Sequence, residues 1–155
     1  MATSTHTTGP YARNEHETLS RAAAALAAAA AATYSLGALA LVGEAAVHIQ
    51  QYVAIFDEVN WIGPLFMANA ATSVAAVLGL AFRPTRQLAA LAGVVISAVA
   101  LGSLVVSYGH GLFGWREAGL RTPVALALIA EVASVVLLST ALVASSHLGD
   151  RRPRA

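Results

Sequence analysis

Apolar residues fill four long windows of the chain, at roughly 22–53, 62–82, 88–108 and 124–144. Each window reaches the ~20 residues that an α-helix needs to cross a hydrocarbon core of ~30 Å. The pattern therefore predicts an all-α integral membrane protein that folds as a four-helix bundle, with helices at about 22–55, 61–82, 88–108 and 123–145. Residues 1–20 and the Arg-rich residues 146–155 are expected to form polar tails, the first of them disordered.

Composition supports the membrane assignment, because 57% of the 155 residues are hydrophobic, 11% are charged and the mean hydropathy is +0.67. The chain has no cysteine, which excludes disulfides, thiolate metal sites and dithiol redox chemistry. It also lacks a phosphate-binding Gly-rich loop, a serine nucleophile motif and a nucleic-acid-binding patch. We therefore expect no nucleic-acid partner, and the pattern favours a non-enzymatic protein while leaving an enzyme open.

The distribution of arginine predicts the orientation in the membrane. With four spans, the two tails and the second connection lie on one side and carry seven Arg, whereas the opposite side carries two. The positive-inside rule then places both termini in the cytoplasm, as for a multi-pass protein of the plasma membrane. A cleaved signal peptide is the alternative for the first window, but that window is far longer than the usual 7–15 apolar residues.

Polar residues within the spans align on helix faces. Positions three, four or seven apart share a face, and this spacing groups Ser103 with Ser107 but leaves Ser97 a quarter to a third of a turn away. At 1.5 Å per residue, His48, Asn69 and Glu131 each lie about 12 Å below the outer interface, and Glu44 lies about 18 Å below it. We expect an outward-opening polar pocket centred on His48 and formed by Glu44, His48, Gln51, Tyr52, Asn69, Ser103 and Glu131.

A second group of polar and aromatic residues lies in the two outer connections, FDEVNW and GHGLFGWREAGLRTP. These residues are expected to surround the mouth of the pocket, and the aromatic ones also suit the membrane interface. The predicted rim consists of Asp57, Glu58, His110, Trp115, Arg116 and Glu117.

Two interpretations of the buried ionisable residues are open. Hydrogen bonds among them can fix the register of the helices, as buried polar groups usually do. Alternatively, they mark a site for a proton, a metal ion, a quinone or a lipid headgroup. A metal would use His48 and Glu131, but the chain lacks both the paired Glu-x-x-His motifs of di-iron bundles and the second deep His of a bis-histidine haem site.

Three stretches, AAVHIQ at 45–50, WIGPLFMANA at 61–70 and GLFGWREAGLRTPVALALIAEV at 111–132, resemble a group of small four-span membrane proteins of actinobacteria. The resemblance covers most of residues 35–144. It implies the four-span architecture and no particular reaction. Because the position of Glu44 is variable in that group, the resemblance implies a site made by His48 with Glu117 or Glu131, rather than a Glu44–His48 metal pair.

Three functions follow as hypotheses. The first is a small binding or accessory protein of the membrane with a His48-centred pocket, and the second is a proton-coupled transporter that uses Glu44 or Glu131. The third is a structural subunit, with other membrane proteins or a second copy of the chain as partners besides the lipid bilayer. All interpretations with a pocket require His48 to lie near Glu131 inside the bundle.

Overall fold

The computed structural model describes residues 10–149, with side chains for residue 14 and residues 17–146. These residues form four α-helices, α1 (Pro10–Gln51), α2 (Ile62–Ala81), α3 (Arg86–Gly109) and α4 (Thr122–Gly149). One π-helical turn, Tyr52–Phe56, continues α1. Between residues 10 and 149 no strand is present, so the predicted all-α fold is confirmed. All four helices are long and apolar enough to cross a membrane.

The ends of the helices lie within a few residues of the predicted ones, except at the start of α1. Residues 1–9 of the predicted disordered tail lie outside the described residues, but residues 10–20 are helical. The predicted tail at 146–155 likewise begins as helix, since α4 continues to Gly149, and residues 150–155 lie outside the described range. Alanine, the strongest helix former, dominates residues 22–32 and explains why α1 extends so far.

Each helix packs against the next one in the chain, and α4 closes the bundle against α1. The tightest packing surrounds Leu138, which is fully buried between two glycines on other helices. A Cβ atom at Gly37 would lie 2.5 Å from Leu138 Cδ2, and one at Gly93 would lie 2.6 Å from Leu138 Cδ1. The two glycines therefore allow α1 and α3 to approach α4 closely, as small residues do in membrane bundles.

The outer surface of the bundle is apolar on all sides. Large side chains such as Leu39, Leu78, Val99 and Ile129 are exposed in the isolated chain. A soluble protein seldom exposes apolar residues so extensively, whereas lipid-facing helices do. The buried interior holds the polar side chains of Glu44, His48, Asn69, Ser97 and Glu131 instead.

One end of the bundle is closed by a polar cluster between α1, α3 and α4. Tyr34 Oη lies 3.0 Å from Ser145 Oγ, and the guanidinium of Arg86 lies 5.7 Å from the centre of the Tyr34 ring. Beyond this cluster all side chains from residue 17 to residue 29 are exposed. The Ala-rich half of the first apolar window therefore extends past the bundle, and α1 enters the packed core only near Ala30.

The opposite end carries the two connections that surround the candidate site. The short one turns sharply at Trp61, whose φ is 67°, and Gly63 then approaches the carbonyl of Phe56 so closely that no side chain would fit. The long connection, residues 110–121, bends at Gly111 and Gly114, both with φ of 84°. It is tied to α3 where the Glu117 amide donates to Ser107.

Candidate functional site

Glu44 lies at the centre of the bundle and is fully buried. Its Oε1 accepts a hydrogen bond of 3.0 Å from Asn69 Nδ2 on α2, and its Oε2 accepts one of 2.6 Å from Ser97 Oγ on α3. Ser73 Oγ adds a longer contact of 3.4 Å to Asn69 Oδ1. This network joins three helices and leaves neither carboxyl oxygen of Glu44 without a donor, which is the normal state of buried polar groups.

His48 lies one turn further along α1, and its two ring nitrogens have different neighbours. Nδ1 lies 2.9 Å from the backbone oxygen of Glu44, and because a carbonyl only accepts, Nδ1 is the donor. Nε2 faces Glu131 Oε1 on α4 at 3.7 Å. This distance is longer than a hydrogen bond, so the two groups are adjacent without being bonded to each other.

Glu131 is only 3% exposed, yet its carboxyl group has no hydrogen-bond donor in the described part of the chain. Among the described residues, Oε2 has no hydrogen-bond partner, and neither has the hydroxyl of the buried Ser134 one turn away on α4. Buried polar groups without partners are uncommon because each costs about 1–3 kcal/mol. Tyr108 Oη and Trp115 Nε1 also lack a partner among the described residues, but Glu131 is the one carboxyl group of the four and therefore most requires an explanation.

A cavity of about 190 Å³ lies next to Glu131 and His48. It extends between α2, α3 and α4 as far as the long connection, and most of its wall is apolar. Residues from every helix contribute to the wall, among them Leu65, Phe66, Ile96, Ala100, Val124 and Ala127. An apolar cavity with a few polar groups at one place is the usual form of a small-molecule site.

A row of aromatic rings leads from the base of the cavity to the long connection. The His48 and Phe66 rings are 4.8 Å apart between centroids, Phe66 and Phe56 are 4.7 Å apart, and Phe56 meets Trp115 edge-on at 4.9 Å. All four residues line the cavity. A ligand that lies against the face of one of these rings meets the negative side of its quadrupole.

An ion pair lies in the wall near the long connection. Arg121 donates to both oxygens of Glu117, with distances of 3.1 Å from Nε and 2.9 Å from Nη2. These bonds hold the pKa of the Glu117 carboxyl below its ordinary value and raise the pKa of the Arg121 guanidinium. The pair neutralises itself, so it adds no net charge to the cavity.

The structure brings together part of the predicted pocket. His48, Gln51, Asn69, Ser103 and Glu131 line the cavity, and the required proximity of His48 and Glu131 is present. Ser103 nevertheless donates to Val99 of its own helix, while Ser97, which the face analysis set apart, binds Glu44. Tyr52 is half-buried outside the lining, and Glu44 belongs to the network behind it.

The predicted rim is divided in the same way. Trp115 and Glu117 line the cavity, whereas the exposed Asp57, Glu58, His110 and Arg116 do not. Arg116 instead donates to the carbonyl of Gly109. Sequence reasoning missed Arg121 as a cavity residue, although its spacing of four from Glu117 is a usual signal for an ion pair.

A metal site at His48 and Glu131 lacks ligands. Among residues 17–146 no three His, Asp, Glu or Cys side chains converge on one point, and the carboxyl group of Glu44 is already bound by Asn69 and Ser97. A divalent transition metal in a protein usually takes at least three protein ligands. The donor set therefore does not fit the metal hypothesis.

Comparison of the chain with protein-family models, with curated protein sequences and with solved structures finds no match. The resemblance to the actinobacterial four-span group accordingly stays a prediction, and the site has to be interpreted from its own geometry.

Proposed function

We propose that this protein is a small multi-pass protein of the plasma membrane that binds an amphipathic small molecule in the cavity between α2, α3 and α4. His48 and Glu131 contact the polar end of the ligand, and the apolar wall receives its body. The proposal is carried by one observation, the buried Glu131 carboxyl without a donor beside an apolar cavity. A ligand in this cavity supplies the missing partner and fills the space.

The packing on the other side of the polar layer favours binding over transport. Leu41, Leu138, Ala90 and Ala141 are buried in one apolar cluster between the layer and the Tyr34 end of the bundle. A carrier needs a path to both sides of the membrane, and this cluster fills the path on one side. We therefore interpret the apolar cluster as a structural part of the bundle, and the cavity on the other side of the polar layer as the binding site.

Binding can be measured through Trp115, which lines the cavity. In a Trp61→Phe background Trp115 is the only tryptophan, because the chain has two. Duroquinone as a neutral probe and benzyltrimethylammonium as a cationic probe are titrated into the protein in detergent micelles. We expect saturable changes in Trp115 emission with at least one of them, and none after Ala100→Phe fills the cavity.

Ala98→Phe is the matched control, since Ala98 lies on the same helix but is exposed and outside the lining. This variant should retain the saturable signal. Equal loss of signal in both variants, or a signal that never saturates for either probe, would contradict the proposed function.

We also propose that both termini are cytoplasmic, which is supported by the arginine distribution. Because the chain has no cysteine, single cysteines can report this orientation. A membrane-impermeant maleimide should label Glu58→Cys in intact cells, but label Thr18→Cys only after the cells are opened. The reverse pattern would place the cavity mouth in the cytoplasm.

A further inference from the structure

We infer that the ligand of this cavity is a monovalent organic cation with a compact apolar or aromatic body, whose charge lies at Glu131. This inference rests on the proposed function, because it names the class of molecule that occupies the same cavity. It follows from three properties of the wall, namely its charge, its hydrogen-bonding capacity and its aromatic rings.

The charged and titratable groups of the wall leave the carboxyl of Glu131 without an arginine or lysine partner. The lining holds four such groups, His48, Glu117, Arg121 and Glu131. Arg121 is bound to both oxygens of Glu117, and Nε2 of His48 is too distant from Glu131 for a hydrogen bond. A second acid, Glu44, lies directly behind the wall with only neutral donors. The base of the cavity therefore contains acidic groups and no Arg or Lys.

At the base of the cavity, Glu131 and His48 offer acceptors, whereas the free donors of the wall, such as Trp115 Nε1, lie near the long connection. Ser103 donates to Val99 and Gln51 Nε2 donates one hydrogen to Gln50. Ser107 Oγ accepts from the Glu117 amide and keeps its own hydroxyl hydrogen, near the long connection. At the base, Glu131 Oε2 has no donor and Nε2 of His48 is the ring nitrogen that does not donate to Glu44. An anion or a quinone carbonyl requires donors there, whereas a cation is satisfied by acceptors alone.

The aromatic row provides the remaining contacts. The Phe66 ring contacts His48 at the base with the two planes tilted by 44°, and Phe56 and Trp115 continue the row. The faces of such rings attract organic cations, most strongly where water is excluded. A metal ion lacks enough ligands in this site, but an alkylammonium group requires only one carboxylate and surrounding rings.

The test compares benzyltrimethylammonium with neopentylbenzene, which has the same shape without the charge. Both are titrated into the Trp61→Phe protein in non-ionic micelles, with Ala100→Phe as the baseline for partition into detergent. We expect the cation to bind at least about tenfold more tightly than the neutral molecule. Glu131→Gln should remove this preference, and Glu58→Gln, an exposed carboxyl outside the lining, should leave it unchanged.

Phe66→Leu provides a second variant that keeps the wall apolar. It should weaken binding of the cation several-fold and leave binding of neopentylbenzene nearly unchanged. If the neutral molecule binds as tightly as the cation, or Glu131→Gln retains the preference, the inference is overturned while the proposed function stands. If neither molecule, nor duroquinone, binds above the Ala100→Phe baseline, both are overturned.

Discussion

Glu44 and Glu131 are two buried carboxyl groups in the same bundle, but the neighbouring helices supply hydrogen-bond donors to only one of them. Glu44 receives donors from α2 and α3, whereas Glu131 receives none and lies beside a cavity. The first arrangement is what a structural network requires. The second leaves a polar group whose missing partner has to come from outside the chain. The comparison teaches that burial alone does not distinguish a structural acid from a functional one. The distinction lies in whether the protein supplies hydrogen-bond donors to the carboxyl group.

The difference arises from what the facing helices provide. Glu44 extends across the centre of the bundle, where Asn69 and Ser97 are short polar side chains on two other helices. Glu131 faces His48, whose Nδ1 hydrogen is already donated to the backbone of Glu44. The hydrogen bond within α1 therefore orients the His48 ring, and Nε2 faces Glu131 at the wall of the cavity.

The largest effect on stability is expected from Glu44→Ala. The substitution leaves Asn69 Nδ2 and Ser97 Oγ without their acceptor and opens a void at a fully buried position. We expect the free energy of unfolding to fall by about 2–4 kcal/mol, measured by denaturation in mixed micelles. Glu44→Gln, which retains the volume and one acceptor, should lose about half as much. Equal stability of Glu44→Ala and the parent protein would show that the network is not structural.

The packing around Leu138 gives the next largest effect. Gly93→Ala places a methyl group against Leu138 and Leu41, which are both fully buried, so at least one of the two side chains has to shift. We expect a loss of about 1–3 kcal/mol in the free energy of unfolding. The double variant Gly93→Ala, Leu138→Ala should lose less than the sum of the two single changes. Strict additivity would contradict the close approach of α3 to α4.

Glu131→Gln sharpens the comparison of the two acids because it should behave unlike Glu44→Ala. No donor is lost, and the amide is a neutral group of the same shape. We expect the free energy of unfolding to change by no more than about 1 kcal/mol, in either direction. A loss as large as that of Glu44→Ala would mean that Glu131 has a structural partner in the folded protein.

The smallest effect concerns a third acid, Glu117, which has a cation as its partner. Arg121 lowers the pKa of Glu117 from its ordinary value of 4.5, so the pair stabilises the folded protein fully above about pH 4.5. This contribution is lost as the pH falls through the lowered pKa of the folded state. Because the Arg121 side chain is 38% exposed, we expect no more than about 1 kcal/mol.

Arg121→Gln should remove this part of the pH dependence, and Arg116→Gln, which changes an exposed Arg bound only to a backbone carbonyl, should preserve it. Unfolding curves at pH 3 to 6 provide the measurement. A pH profile that is the same in Arg121→Gln and in the parent protein would contradict the assignment of the shift to Arg121.

The helical faces were predictable from spacing, but their partners were not. A period of 3.6 residues places Glu44 and His48 on one stripe, and the structure buries both. Equal depth suggested that Asn69 and Glu131 belong to one layer with His48, yet Asn69 extends one turn deeper to Glu44. Spacing favoured Ser103 over Ser97, yet Ser97 is the serine that binds Glu44, because that choice depends on how far α3 is rotated about its own axis.

The residue at which α1 enters the packed bundle could not be predicted from hydropathy either. Hydropathy counts the Ala-rich residues 22–29 as part of the membrane segment, whereas in the structure their side chains are all exposed beyond the Tyr34 cluster. Alanine is compatible with lipid, with water and with helix–helix contact, so its presence carries little information about position. The bundle begins where Tyr34, Arg86 and Ser145 come together.

The sequence by itself determined the number of spans, most of their approximate ends and the polar faces of α1, α2 and α4, because these depend on local length and periodicity. Only the tertiary structure decided that Glu44 is satisfied and Glu131 is not, that Arg121 neutralises Glu117, and that a cavity remains between α2, α3 and α4. These features depend on the rotation and vertical offset of packed helices. Side-chain volumes across several helices fix both, and no single window of sequence contains that information.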